Sequence, residues 1–146
     1  MPTKQFQLYK CPVCATVVEV IDECGLDLVC CGPPMVSLAE KTSQSGQDRH
    51  QPVLERTGRR VRVRVGQTPH PMTEDHQIRW IEMVSEGRVC RHFLAPGQAP
   101  EAVFECDSPA AVARAYCNRH GLWSSAEPKD EAAAQVPAAA GAEMEI

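Results

Sequence analysis

The sequence predicts an all-β protein in which a small cysteine-rich β domain precedes a β-sandwich. Residues 60–65 alternate arginine and valine strictly, which is the period of a half-buried strand. Short apolar segments follow at 77–84, 89–94 and 102–106, and the turn signals between them recur at the spacing typical of sandwiches. Four of the eight cysteines form two closely spaced pairs before residue 32, which indicates a separate metal-stapled domain.

Length and composition limit the alternatives. A chain of 146 residues allows one domain or two small ones. No apolar run approaches the roughly 20 residues that a membrane span needs, and residues 1–7 are polar, without the apolar core of a signal peptide. We therefore expect a cytoplasmic protein without membrane contact. In that reducing compartment, eight cysteines favour metal binding over disulfides.

The net charge of −4 is unevenly spread. Residues 1–37 carry two lysines and four acidic residues, and residues 126–146 carry one lysine and five acidic residues. Residues 38–125 carry twelve basic and ten acidic residues and are the only net-basic part. This excess is far too weak for binding nucleic acid, but it is compatible with a small anionic substrate.

The first domain is expected to be organised around four thiols. Cys11 and Cys14 have the spacing of a metal-binding turn, and the adjacent Cys30 and Cys31 follow after fifteen residues. The apolar run at 17–21 is expected to be a strand that returns the chain to the metal. Four thiolates suit tetrahedral zinc or a mononuclear iron. Two disulfides or inert buried thiols are the less favoured alternatives, because adjacent cysteines pair poorly with each other and so short a segment cannot bury a core without a staple.

We place the domain boundary near the start of the polar stretch 39–48, so that the domains span 1–37 and 38–125. Residues 110–116 are ambiguous, because an alanine-rich segment favours helix on intrinsic propensity. Residues 126–146 are rich in alanine, proline and glutamate and are expected to form a disordered tail without a site.

The second domain contains a set of nitrogen and sulfur ligands that we expect to meet at one metal. A proline on each side of the first histidine of the Thr68–His76 stretch stiffens the backbone there. A second pair, a cysteine and a histidine, lies three residues apart near the end of the domain. The predicted ligands are His50, His70, His76, Cys117 and His120.

Four other residues of these types are expected to have ordinary roles. His92 lies in a predicted strand without a motif around it, so a surface or core position is expected. Cys90 and Cys106 also lie in predicted strands and are interpreted as small buried hydrophobes. Cys24 interrupts the spacing of the four thiols and is expected to be a free thiol near a turn.

Residues 5–125 resemble the desulfoferrodoxin family, the two-iron class of superoxide reductase. The first segment is similar to desulforedoxin through Tyr-Lys-Cys-x-x-Cys and Leu-Val-Cys-Cys-Gly-x-Pro-Met. The second resembles the neelaredoxin-type catalytic domain. Its motifs are His50-x-Pro-Val, Val65-Gly-x-x-Pro-His-Pro-Met72, His76-x-Ile-x-Trp-Ile-Glu82, Phe93-Leu-x-Pro-Gly-x-Ala-Pro-Glu-Ala102 and Tyr116-Cys-Asn-x-His-Gly-x-Trp123.

The resemblance implies an immunoglobulin-like β-sandwich for the second domain, with a strand rather than a helix at 110–116. It implies two mononuclear irons, one bound by the four cysteines and one by the four histidines in a plane with Cys117 below. The implied activity is one-electron reduction of superoxide to hydrogen peroxide without oxygen evolution, which detoxifies superoxide. A rubredoxin-like electron donor and a homodimer are the implied partners.

The ligand chemistry points the same way without the family. Ferrous iron is a one-electron donor that imidazoles suit, and a thiolate opposite an open position pushes electron density towards what binds there. N–H groups of Arg119 and His120 are expected to tune the Cys117 sulfur.

The sequence departs from the resemblance immediately before His50. The family usually carries Glu-Lys there, where the carboxylate binds the oxidised iron and the lysine attracts superoxide, whereas this chain has Asp48 and Arg49. Arg49 keeps the positive charge, but a guanidinium essentially never gives up a proton. Asp48 is one methylene shorter than glutamate, so its carboxylate reaches less far towards the metal.

Two other functions remain open from the sequence: an electron-transfer protein in which both irons only pass electrons, and a zinc-ribbon interaction module with an attached sandwich. The four-cysteine site likewise has two possible roles, an electron relay or a structural staple, and zinc is an alternative to iron there.

Overall fold

A computed structural model describes residues 3–42 and 47–125, with main chain only at residues 47 and 48. The chain divides into two compact units, residues 1–39 and 40–146. The sequence-based boundary lay two residues earlier, after residue 37. No helix in the described part is long and apolar enough to span a bilayer. The predicted tail, 126–146, lies outside the described residues.

The first unit is built on a three-stranded antiparallel sheet in the order β2-β1-β3. The strands are β1 (Leu8–Lys10), β2 (Val17–Glu19) and β3 (Val36–Ser37). Its buried side chains are few, namely Thr3, Leu8, Tyr9, Cys11 and Val20. So small an apolar core does not stabilise a domain by itself, which is why a metal staple is expected here.

The second unit contains two antiparallel sheets that enclose one apolar core. One sheet has the order β4-β5-β8 and the other the order β10-β9-β6-β7. A four-residue helix, α1 (Gln47–His50), precedes β4. The strands are β4 (Pro52–Thr57), β5 (Arg60–Val65), β6 (Ile78–Ser85), β7 (Arg88–Phe93), β8 (Glu101–Glu105), β9 (Val112–Cys117) and β10 (Gly121–Ser124). The predicted all-β fold class is confirmed.

The alternation in β5 places its three valines in the core, whereas its arginines face outward. Each outward arginine at positions 62 and 64 pairs with Glu55 of β4, and Arg62 also pairs with Glu101 of β8. These exposed ion pairs contribute little to stability each, so burial of the valines sets the orientation of the strand.

The alanine-rich segment forms strand β9 rather than a helix. Ala113 and Ala115 are fully buried and lie opposite Met83 and Ile81 of β6 in the sheet register. Small side chains at these positions let the core fill without overcrowding. Tertiary packing therefore overrides the helix propensity of alanine.

The register brings several chain segments to one end of the sandwich. Pro52 at the start of β4 pairs with Val65 at the end of β5. Ile78 at the start of β6 pairs with Cys117 at the end of β9, beside a register shift between Ile78 and Trp80. The connections α1–β4, β5–β6 and β9–β10 therefore gather at this end, and they carry all the predicted histidine ligands.

Candidate metal centres

The thiols of Cys11, Cys14, Cys30 and Cys31 form a group in the first unit, called here the four-cysteine site. The Sγ atom of Cys30 lies 3.7 Å from that of Cys14 and 3.8 Å from that of Cys31. Four sulfurs about 2.3 Å from a tetrahedral metal lie about 3.8 Å apart. All eight cysteines of the chain are free thiols, so the donor set fits a metal and the disulfide alternative is not formed.

Hydrogen bonds in the four-cysteine site support negative charge on some sulfurs. The Cys11 sulfur accepts main-chain N–H groups of Val13 and Cys14, both at 3.4 Å. The Thr16 hydroxyl lies 3.1 Å from the Cys14 sulfur and lowers the pKa of Cys14 to about 6. The neighbouring thiol of Cys11 raises the pKa of Cys30 to about 12. Such crowded thiols deprotonate together only when a cation offsets their charge.

Five further donors meet in the second unit and are called here the His–Cys centre. Their ligand atoms all lie within 4.8 Å of one another. α1 supplies the first histidine, the β5–β6 connection the next two, the end of β9 the cysteine, and the β9–β10 turn the last histidine. The members are His50, His70, His76, Cys117 and His120.

The donor distances fit one metal ion. The Nε2 atom of His50 lies 3.1 Å from the Nδ1 atom of His120, and the Cys117 sulfur lies 3.7 Å from the same Nδ1. Two nitrogens about 2.1 Å from a metal and at right angles to each other would lie about 3.0 Å apart. The Nε2 atoms of His70 and His76 are buried without a hydrogen-bond partner among the described residues. Unpartnered buried nitrogens are costly unless a ligand satisfies them, which supports a metal.

The surroundings set the protonation of each donor. Burial lowers the pKa of His70 to about 4, so its ring is neutral near pH 7. Its Nδ1 lies 2.7 Å from the Pro71 carbonyl; that nitrogen therefore carries the proton, and Nε2 keeps its lone pair for a metal. Burial also lowers the pKa of His76. These neutral rings are suited to binding a cation.

Burial raises the pKa of the Cys117 thiol, whereas main-chain hydrogen bonds from Arg119 and His120 act in the opposite direction. The structure thus contains the N–H donors that the sequence suggested at these two residues. A sulfur held in this way becomes a thiolate when a metal cation is bound next to it.

Exposure differs across the His–Cys centre. His50, His70 and Cys117 are buried, whereas His76 is half-buried and His120 is exposed. His120 is therefore the donor of this centre that lies at the protein surface.

Two residues that the sequence analysis did not assign hold His120 from outside. Its carbonyl accepts a hydrogen bond from the Lys41 ammonium at 2.9 Å and another from the Trp123 indole N–H at 3.1 Å. The Trp123 ring also stacks on His50, with centroids 5.0 Å apart. Trp123 ends a motif that the sequence displayed, but Lys41 had no local signal, because its partner lies 79 residues away.

Gly66 allows the chain segments that carry His50 and His70 to approach closely. Its φ is +81°, and a Cβ at this position would lie 2.5 Å from the Arg49 carbonyl oxygen and 2.7 Å from that of Thr68. Its N–H also donates to the Gln51 carbonyl at 3.0 Å. Only glycine fits this contact.

The remaining predicted residues lie as follows. Arg49 is exposed, and the side chain of Asp48 falls outside the described residues. Cys24 is exposed, and Cys90 and Cys106 are half-buried against the core. His92 is exposed and stacks on Phe104, with centroids 4.5 Å apart; it does not belong to the His–Cys centre.

Comparison with known proteins gives the same two-part division. The desulfoferrodoxin family model matches residues 42–126, and the model of the desulfoferrodoxin N-terminal domain matches residues 3–38. A desulfoferrodoxin homolog of Archaeoglobus fulgidus is 49% identical over 84% of this chain and 98% of its own length. The desulfoferrodoxin of Nitratidesulfovibrio vulgaris is 47% identical over 83% of this chain and 96% of its own.

A solved structure confirms the fold. The crystal structure of the superoxide reductase from Treponema pallidum matches with a TM-score of 0.65 and 26% identity, and the match covers 83% of this chain and 97% of that one. Two family models and relatives matched over nearly their whole length agree with the two metal-binding groups. The chain belongs to the desulfoferrodoxin family.

Proposed function

We propose that the chain is a superoxide reductase that converts superoxide to hydrogen peroxide by one-electron reduction, without evolving oxygen, and so detoxifies superoxide. The observation that carries this proposal is the convergence of four imidazoles and one thiol within 4.8 Å. The likeness to the Treponema pallidum superoxide reductase supports it. Iron bound by these donors supplies the single electron, and a second iron belongs to the four-cysteine site.

The chain's own residues prepare this centre for iron. Burial keeps His70 neutral, and its bond to the Pro71 carbonyl points the free lone pair of Nε2 towards the other donors. The N–H groups of Arg119 and His120 stabilise the Cys117 thiolate. As a ligand, the Cys117 thiolate would raise the electron density at an iron held here, which suits one-electron donation.

Arg49 is the proposed residue for attracting superoxide. Its side chain is exposed and carries a positive charge one residue before His50. Because a guanidinium keeps its protons, the two protons of the product come from water. Asp48 completes the proposed catalytic pair as the acidic residue beside it in the sequence.

The reaction with superoxide separates the reductase from a pure electron carrier, because an exposed histidine donor such as His120 suits either function. Metal analysis separates the zinc-ribbon alternative, which requires zinc alone, from the proposed two irons per chain.

The test is rapid mixing of the reduced, iron-loaded protein with superoxide. Superoxide can instead be generated in the sample by pulse radiolysis. In either case the hydrogen peroxide and the oxygen produced are both counted. We expect one hydrogen peroxide per superoxide, oxidation of the His–Cys iron and no oxygen. Oxygen and peroxide in equal amounts would indicate dismutation. An unreactive, fully loaded protein would refute the reductase and favour the electron carrier.

We also propose a rubredoxin-like electron donor, a homodimer and a cytoplasmic location. Eight free thiols support a reducing compartment. The homodimer is supported by exposed apolar side chains of the first unit, which a second copy would bury. These side chains are Val13, Ile21, Leu26, Val29 and Val36. Sedimentation equilibrium would test for the dimer.

A further inference from the structure

Asn118 directly follows Cys117 and holds the backbone on both sides of His76. Its side-chain Oδ1 accepts the N–H of Gln77 at 3.0 Å, and its Nδ2 donates to the carbonyl of Asp75 at 3.0 Å. Its main-chain N–H donates to the Gln77 carbonyl at 3.2 Å. One side chain therefore bonds the peptide group before His76 and the peptide group after it.

The other hydrogen bonds of this turn are local. The Thr73 hydroxyl accepts the His76 N–H at 3.1 Å and donates to the His76 carbonyl at 3.2 Å. These bonds shape the turn but do not connect it to the segment after β9. Arg119 adds a longer contact, 3.3 Å, from its exposed guanidinium to Asp75. The β6–β9 pairing of Ile78 with Cys117 joins the two ligand-bearing segments at one end of the sheet, and Asn118 makes the main side-chain connection beyond it.

The His76 ring has no hydrogen bond of its own to orient it within the described part of the chain, and its Nε2 is buried. This differs from His70, whose Nδ1 is held by the Pro71 carbonyl. The direction of the His76 ring therefore depends on its backbone, and Asn118 holds that backbone on both sides.

A carboxamide suits this position because it offers one acceptor and one donor at the same end. A carboxylate would keep the bond to the Gln77 N–H but would place a negative oxygen against the Asp75 carbonyl. An alanine would lose both bonds. Asn118 is half-buried, so water would not fully replace them.

We infer that Asn118 is a positioning residue of the His–Cys centre, which sets the His76 imidazole relative to Cys117 and His120. The inference rests on the proposed iron in this centre. Loss of a partner that orients a metal-binding histidine typically lowers metal affinity about 10- to 100-fold. Asn118→Ala should therefore weaken iron binding by about that factor.

The experiment measures iron release from the reduced, full-length protein to a ferrous chelator. The four-cysteine site is an internal reference in each molecule, because it belongs to the first unit and Asn118 to the second. We expect Asn118→Ala to release the His–Cys iron about 10- to 100-fold faster, while release from the four-cysteine site is unchanged. The thiolate-to-iron absorption of the oxidised His–Cys centre should also shift, which a general loss of stability would not cause.

Two further variants complete the design. Ser108→Ala is the matched control, because the Ser108 hydroxyl accepts the Ala110 N–H at 3.2 Å before the opposite end of β9. It should match wild type. Asn118→Asp keeps the bond to the Gln77 N–H but sets a negative oxygen against the Asp75 carbonyl. It should therefore also release the His–Cys iron faster than wild type, and it tests the role of Asn118 if the alanine variant does not fold.

Release within twofold of wild type, or an equal acceleration in Ser108→Ala, would overturn the role of Asn118. This result is distinct from failure of the proposed function. If the wild-type protein retains iron in the His–Cys centre but does not reduce superoxide, the proposed function is refuted. The comparison of iron release between wild type and variants still holds in that case.

Discussion

Arg49 is exposed and carries its charge one residue before His50, whose ring is buried in the His–Cys centre. We predict that Arg49→Ala slows the bimolecular reaction with superoxide and flattens its dependence on ionic strength. One unit charge at close range in water is worth about 1 kcal/mol, or about fivefold in rate at low salt. The effect should fade above about 0.1 M salt, where the screening length falls to about 10 Å. Pulse radiolysis over a salt series measures it.

Arg88→Ala is the matched control for this charge effect. It removes the same charge from an exposed residue, but Arg88 begins β7 opposite Ser85, at the end of the sheet away from the His–Cys centre. Arg49→Lys, which retains the charge, should keep the rate. Equal slowing in Arg88→Ala would show that net charge rather than local attraction determines the rate.

Single residues also show how much of the candidate site could be predicted from the sequence alone. The spacing and order of the histidine and cysteine motifs predicted a set of five residues, and the fold brings the ligand atoms of these five together. Lys41 and Asn118 received no such role, because their bonds cross 79 and 41 residues of sequence. A hydrogen bond of this kind depends on the register between segments, which a local pattern does not contain.

Among the elements, the connection from β5 to β6 requires a glycine at position 66. We predict that Gly66→Ala lowers the thermal midpoint and the iron content of the His–Cys centre, because its Cβ would meet the Arg49 carbonyl oxygen at 2.5 Å. The displaced segment is the one that carries His50. Calorimetry and metal analysis of the purified variant provide the measurement.

Gly58→Ala separates this clash from backbone strain. Gly58 also has a positive φ, +61°, but nothing lies within 4 Å of the point that a Cβ would occupy there. Gly58→Ala should lower the free energy of unfolding only by the cost of a left-handed backbone at a non-glycine residue, about 1–2 kcal/mol. The variant should keep its iron. Equal losses in the two variants would mean that the close contact at Gly66 does not matter.

The elements also show where sequence patterns succeed. Strict alternation identified β5 with both of its ends, Arg60–Val65, because one face of that strand is solvated. The pattern was ambiguous for β9, since all six of its residues are buried and no alternation remains. The short helix α1 lies at the end of a stretch read as a polar loop, and four residues are too few to produce a helical period.

For the molecule as a whole, the two units differ in how they are stabilised. The second has a continuous core of valine, isoleucine, alanine and phenylalanine, whereas the first buries few apolar side chains and exposes several. The four-cysteine site is therefore expected to act as a staple for the first unit, with limited redox work. Loss of its metal should unfold that unit and leave the core of the second intact.

Cys14→Ser tests whether the four-cysteine site mainly stabilises the first unit. We predict that it abolishes the visible absorption of the four-cysteine iron and lowers the unfolding temperature of the first unit, while superoxide reduction at the His–Cys iron stays within about twofold, since the substituted thiol belongs to a separate metal site. Cys24→Ser is the matched control, because Cys24 is an exposed thiol outside both metal-binding groups.

A folded Cys14→Ser variant whose His–Cys iron still loads but no longer reduces superoxide would make the four-cysteine iron an obligatory electron relay. Normal activity from the first turnover onward would instead show that the chemistry needs only the second unit, because electrons can then reach the His–Cys iron without passing through the first.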